Sequence, residues 1–118
     1  MADLIEIKAI HSFGYHGVLE AENIVGQDFY VDVSLELDLT RASVTDDVSD
    51  TINYAEITDL VIEEVTGDRV ALIEKLAGRI ADRIKDTYPQ IASVAVTVHK
   101  PQAPVNAKVK DISVTINR

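Results

Sequence analysis

The sequence predicts an α+β domain: an antiparallel four-stranded sheet with two helices on its apolar face, in the order β-β-α-α-β-β. Three observations carry this. Apolar residues at 29, 31, 33, 35, 37 and 39 alternate with polar ones from 30 to 40, so one face of a strand is buried and the other is wet. Two later stretches repeat apolar residues at helical spacing. The segment between them, residues 66–71, is too short and too polar for a strand, which excludes the ferredoxin-like β-α-β-β-α-β order.

The first strand is expected over Leu4 to Ile10, with Ile5, Ile7 and Ala9 sharing one face. His11 to Gln27 reads as a long connection containing Gly14, Gly17 and Gly26, and so long a loop in a small domain is a place to look for function. The second strand is the alternating stretch from Phe29 to Thr40. Residues 41–52 are mixed and acidic. Asn53 with Glu56 has the spacing of a capping box and opens the first helix. Ile57, Leu60, Val61 and Val65 form its stripe, and Gly67 is the expected stop. The second helix runs from about Leu72 to Tyr88, with Ile73, Leu76, Ala77, Ile80, Ala81 and Ile84 inward and Pro89 beyond its end. A third strand, about Ala92 to Lys100, buries Val94, Val96 and Val98. A turn-rich stretch leads to the last strand, Asp111 to Asn117, with Ile112, Val114 and Ile116 inward.

Residues 1–118 are expected to form one domain, since 118 residues suit a single core and no stretch reads as a linker. The 20 acidic against 11 basic side chains give a net charge of −9, which argues against nucleic-acid or anionic-membrane partners. The absence of cysteine excludes disulfides, thiolate metal sites and a cysteine nucleophile. No apolar run approaches the roughly 20 residues of a membrane span. Met1-Ala2-Asp3 lacks the layout of a signal peptide, so the expected address is cytoplasmic.

Few residues invite chemistry. Lys100 has the parity of Val94, Val96 and Val98, so it continues their buried face to the strand end, where Pro101 fixes an extended backbone. It is either a lysine snorkelling from a strand end or a partly desolvated base. Glu74 lies in the first turn of the second helix; it either answers the helix dipole or grips a flat edge bearing two N–H donors. Glu22 in the long loop is a solvated acid by default. Tyr54 follows the first helix cap and is either a half-buried ring or a proton donor. His11, His16 and His99 match no usual zinc spacing, so no metal site is expected. Gly14 and Gly17 are too sparse for a phosphate loop.

Taken as a set, these residues resemble the dihydroneopterin aldolase family. Gly14-Tyr15-His16-Gly17-Val18, Glu22 and Gly26-Gln27-Asp28-Phe29 resemble its opening. Asp46-Asp47 to Asp50-Thr51-Ile52-Asn53-Tyr54 is similar to the segment carrying its tyrosine. Leu72-Ile73-Glu74-Lys75-Leu76-Ala77 is similar to its pterin-anchoring turn, and Val98-His99-Lys100-Pro101-Gln102-Ala103-Pro104 to the strand end bearing its lysine. The segments keep the family's order and spacing over nearly the whole chain.

The resemblance implies the tunnelling fold, with four subunits closing a β-barrel ring and two rings stacked into a homo-octamer. It implies active sites at subunit interfaces. The reaction it implies is retro-aldol cleavage of 7,8-dihydroneopterin in folate biosynthesis, without metal, cofactor or Schiff base. By the same resemblance Glu74 binds the pterin edge beside the Ile73 backbone, and Lys100 is general base and acid. Tyr54 from a neighbouring subunit assists protonation, and Glu22 positions the side-chain hydroxyls and supports Lys100. Asn53 stands where relatives often carry histidine or aspartate, and Val105 where proline or isoleucine is common. The alternatives are an epimerase acting on dihydroneopterin or its triphosphate, and a non-catalytic assembly module of the same fold. A triphosphate enzyme needs positive charge at the pocket mouth, for which Lys108 and Lys110 are the only candidates. The module reading predicts loss of Lys100, Glu74 or Tyr54, and all are present.

Overall fold

A computed structural model describes residues 2–118. Strands β1 (Asp3–Gly14) and β2 (Gln27–Leu37), then β3 (Ser93–His99) and β4 (Ser113–Asn117), form one sheet in the order β1-β2-β3-β4. Every neighbouring pair is antiparallel. The predicted alternation holds in β2, where Phe29, Val31, Val33, Leu35 and Leu37 are buried and the residues between them are half-exposed. Leu39 lies beyond the strand end and packs against the core's edge.

Helices α3 (Tyr54–Thr66) and α4 (Ile73–Thr87) cover the apolar face. The first packs on β1 and the second on β3 and β4. Both predicted stripes are buried, and they meet the inward side chains of β2 and β3 in one core. Removing those residues from water at about 25 cal/mol per Å² of apolar surface is the main force holding helices to sheet. Asn53 does cap α3, but its oxygen accepts from Ala55 N (3.0 Å) rather than Glu56 N, so the expected two-way box is a one-way cap. Gly67 closes α3 without a left-handed turn; a Cβ there would lie 2.8 Å from the Glu63 carbonyl oxygen, so close approach explains the glycine.

The first strand departs most from expectation. It continues to Gly14 and contains a bulge in which Lys8 and Ala9 stand opposite Asp32 alone. Ala9 adopts φ 55° and donates its N–H to Asp32 Oδ1 (2.7 Å). The extra residue reverses the parity of the strand, so Ile10 rather than Ala9 enters the core. The expected long connection thus shrinks, and its remainder holds a short helix, α1 (Glu20–Val25). Helix α2 (Thr40–Thr45) and a 3-10 turn (Val48–Asp50) occupy the acidic stretch before Asn53. Helices this short have little stability alone, and propensity does not announce them.

Candidate active site

Lys100 leaves the end of β3 on the helix side of the sheet, as its parity requires, with its side chain only 12% exposed. Its backbone is pinned on both sides: Lys100 N donates to Ile112 O (2.7 Å), and its carbonyl accepts from Ala103 N (3.1 Å). The ammonium meets Glu22 Oε2 at 2.5 Å. Glu22 is therefore not a solvated loop acid. It projects from α1 into the protein and is buried.

Three donors converge on that carboxylate. Lys100 Nζ and Gln27 Nε2 (2.9 Å) share Oε2, and Leu19 N–H reaches Oε1 at 3.2 Å. Burial by itself pushes the Glu22 carboxyl up, but the hydrogen bonds from Lys100, Leu19 and Gln27 outweigh it and hold the group below its ordinary value. It is a carboxylate at neutral pH.

The pair opens on a cavity of about 450 Å³ that also contains Ile73 and Glu74 and is framed by Leu19, Leu72, Pro104 and Val114. Glu74 lies in the first turn of α4, where backbone N–H groups have no partner within the helix. The cavity thus combines a carboxylate in a helix's first turn with a buried cation–carboxylate pair. The apolar walls suit a flat heterocycle. Tyr54 is elsewhere: it opens α3, is 67% exposed and does not line this cavity. Lys108 and Lys110 are exposed and also stand outside the lining.

A sequence model of the FolB dihydroneopterin aldolase family matches residues 5–117. The chain is 41% identical over 118 residues to a dihydroneopterin aldolase of Staphylococcus epidermidis, covering 100% of this chain and 98% of that one. It is 39% identical over 116 residues to the dihydroneopterin aldolase of Bacillus subtilis, covering 98% and 97%. Its structure superposes on E. coli dihydroneopterin aldolase, solved in complex with neopterin, with a TM-score of 0.91 at 28% identity, covering 98% of each chain. The chain belongs to the dihydroneopterin aldolase family.

That membership makes it a lyase of folate biosynthesis and accounts for its tunnelling-fold subunit. It also directs attention to residues that sequence patterns left without a role. His16 is fully buried, its ring edge-on against Phe29 of β2. Its Nε2–H donates to Val65 O (2.7 Å), and Nδ1 accepts from Val70 N (3.1 Å). The bond from Val70 needs an unprotonated Nδ1 and hence the neutral ring; burial lowers the pKa of His16 and favours that form, outweighing the bond to Val65 O, which favours the charged one. Beside it, Gly17 N donates to Val70 O (3.0 Å) and Gly17 O accepts from Arg69 (2.8 Å). The loop ahead of α1 is thereby fastened to the connection ahead of α4, which fixes the spacing of the cavity walls.

Gly17 has a second task. A Cβ at this position would come within 2.5 Å of both Glu22 carboxylate oxygens. The glycine leaves the space the carboxylate occupies. Gly26, at φ 73°, ends α1 in a conformation favouring glycine, and a Cβ there would strike the Phe13 and Tyr15 rings. The expected long connection contained these glycines, but only the folded chain shows which group needs the room. The other histidines are engaged separately: His11 with Asp28 (2.7 Å), and His99 with Asp32 and Asp111 (2.7 and 2.6 Å). Of the two positions that depart from the family pattern, Asn53 serves as the α3 cap and Val105 lines the cavity.

Proposed function

We propose that the cavity holding Glu22, Ile73, Glu74 and Lys100 binds 7,8-dihydroneopterin and cleaves it to 6-hydroxymethyl-7,8-dihydropterin and glycolaldehyde. The observation that carries this reading is the 2.5 Å Lys100–Glu22 contact in the cavity that Glu74 also lines. Glu74 accepts hydrogen bonds from the 2-amino group and ring N–H of the pterin, a two-donor edge that matches a carboxylate. The Ile73 backbone lies beside it. This places the side chain of the substrate toward Lys100. The complex of the E. coli relative with neopterin supports a pterin as the ligand.

The substrate supplies its own electron sink, a ring C=N bond beside C1′, the carbon that stays on the pterin when the C1′–C2′ bond breaks. Lys100, in its neutral amine form and acting through water, takes the proton of the 2′-hydroxyl. The C1′–C2′ bond breaks, C2′ leaves as the aldehyde carbon of glycolaldehyde, and its electrons enter the ring imine. The enol-like intermediate takes a proton back at C1′, delivered from Lys100 with Tyr54 assisting. Glu22 orients the hydroxyls and offsets the charge that Lys100 gains. Positioning and proton transfer are the whole of the protein's contribution.

Tyr54 completes this site only if it comes from a neighbouring chain. Ring closure by four subunits, with two rings stacked into an octamer, supplies that neighbour. Both sheet edges, β1 and β4, are unpaired within the chain, and an open edge favours pairing with another copy. A cytoplasmic location is part of the same reading.

The test is anaerobic incubation with 7,8-dihydroneopterin in EDTA, with wild type and Lys100→Ala in parallel. Cleavage by the wild type and little by the variant is the expected result. Formation of the C2′ epimer alone moves the protein to the epimerase reading. No turnover of the free or triphosphorylated substrate leaves the assembly module. Sedimentation of the purified chain checks the octamer.

A further inference from the structure

We propose that Gln27 is a positioning residue for this reaction, holding the Glu22 carboxylate in place while Lys100 gains and loses its proton; the inference rests on the aldolase reading above. Gln27 is the first residue of β2 and is 7% exposed. Its backbone pairs with Gly14, a duty any residue fulfils. The side chain is what needs explaining. Its Nε2 donates to Glu22 Oε2, the same oxygen that meets Lys100. Its Oε1 is buried with no hydrogen-bond partner.

An unpaired buried acceptor is costly, and native structures carry few. The orientation of the amide explains it. Turned the other way, its oxygen would face the carboxylate, acceptor against acceptor. Gln27 thus gives up a partner for its oxygen to present an N–H to Glu22.

The surroundings show why that N–H matters. Behind Glu22 lies a second cavity of about 350 Å³, bordered by Gly26, Gln27, Gln102 and Pro104. Glu22 and Pro104 border both cavities, so the carboxylate stands at the partition. While Lys100 is charged, attraction keeps Glu22 forward. When Lys100 gives up its proton, that attraction collapses, and the carboxylate has room to withdraw. The Gln27 amide does not titrate, so with Leu19 N–H it holds Glu22 through every protonation state of the lysine.

The experiment measures kcat and KM for 7,8-dihydroneopterin between about pH 5 and 9 in wild type, Gln27→Met and Gln27→Glu. Gln27→Met keeps the length and removes both the donor and the orphan oxygen. We expect kcat to fall about ten- to hundred-fold, the worth of one hydrogen bond to a charged group, with KM little changed. The acid limb of its profile moves to higher pH, because Glu22 loses a donor that keeps it ionised. Gln27→Glu behaves oppositely: its carboxyl still donates when protonated at the acid end, and activity falls as it ionises beside Glu22. A uniform loss without these opposed shifts, or no loss, overturns the inference. Gln27→Glu, the closer isostere, decides by itself if Gln27→Met does not fold. A wild type that does not cleave the substrate sinks the aldolase reading and this inference together; an active wild type with pH-invariant variants sinks only the inference.

Discussion

His99 and Lys100 are adjacent in sequence and opposite in situation. Each is a basic residue at the end of β3, and each meets carboxylates. His99 points to the polar side of the sheet, where Asp32 from β2 and Asp111 from the loop before β4 engage both ring nitrogens. Lys100 points to the helix side and meets one buried carboxylate at the edge of a cavity. The histidine clasp is closed: both ring nitrogens have partners, and Asp32 is further satisfied by Ala9 N–H. The cluster borders a hollow of its own with Tyr30 and Pro101, but its ring nitrogens are already engaged, so it can stabilise without presenting a free imidazole nitrogen there. The lysine pair is open toward a cavity, and a neighbouring amide goes unpaired on one side to hold it. Both clusters border a cavity, and what separates them is burial and how fully their polar atoms are already paired.

That contrast can be broken most severely at Lys100. Lys100→Met should lower turnover by about three orders of magnitude, within the range for a lost general acid–base, while leaving Glu22 as an uncompensated buried carboxylate. Single-turnover kinetics with 7,8-dihydroneopterin checks it, and a loss below tenfold would contradict the assignment.

Next in size is Gly17→Ala. The added methyl displaces the Glu22 carboxylate, the flexible end of a side chain, rather than any backbone. We expect kcat to drop by about tenfold or more with the fold retained, as follows from misplacing a reacting group. A melting curve run beside the assay separates this from unfolding. Glu74→Gln acts on the other carboxylate that lines the cavity. It should raise KM by about tenfold, the loss of a charge-assisted contact, and change kcat less.

The histidine clasp should respond to pH in stability rather than in chemistry. Burial pulls the His99 pKa down, but hydrogen bonds to Asp32 and Asp111 overcome this and raise it above 6.5. A raised folded pKa means that the contribution is complete below the unfolded value and is lost as pH rises through the folded one. The clasp is partly exposed, so it is worth about 1 kcal/mol or less after screening. The melting temperature of wild type should therefore exceed that of His99→Gln near pH 6 and converge on it as pH rises toward 9. A gap that widens with pH would refute the clasp. The smallest effect belongs to Asn53→Ala, which removes the α3 cap: about 1 kcal/mol, or a few degrees in melting temperature.

Much of the fold was legible because it is periodic. Strict alternation in β2 and the helical stripes of α3 and α4 name their own buried faces. Parity likewise brought Lys100 out on the buried side. The bulge at Lys8 and Ala9 was not legible, since nothing in Glu6-Ile7-Lys8-Ala9-Ile10 departs from strand composition. Its stabiliser, Asp32, lies on another strand. The site was legible in part. Glu22, Glu74, Lys100 and Ile73 emerged from a resemblance of motifs and share one cavity, whereas Tyr54 lies apart from it. The working of Gly17, Gln27 and His16 was hidden, because each acts on a residue remote in sequence or in another element.

By itself the sequence determined β2, β3 and the two long helices, the face each of these buries and the side of the sheet from which Lys100 emerges. Those are local properties, written in periods of 2 and about 3.6 residues. Tertiary structure decided that Glu22 is a buried partner of Lys100 rather than a loop acid in water. The two are 78 positions apart, and only the pairing of β2 with β3 and the loop fastened by His16 bring them to 2.5 Å. The charge of a carboxylate is a property of its residue type; its desolvation and its hydrogen-bond donors belong to the fold.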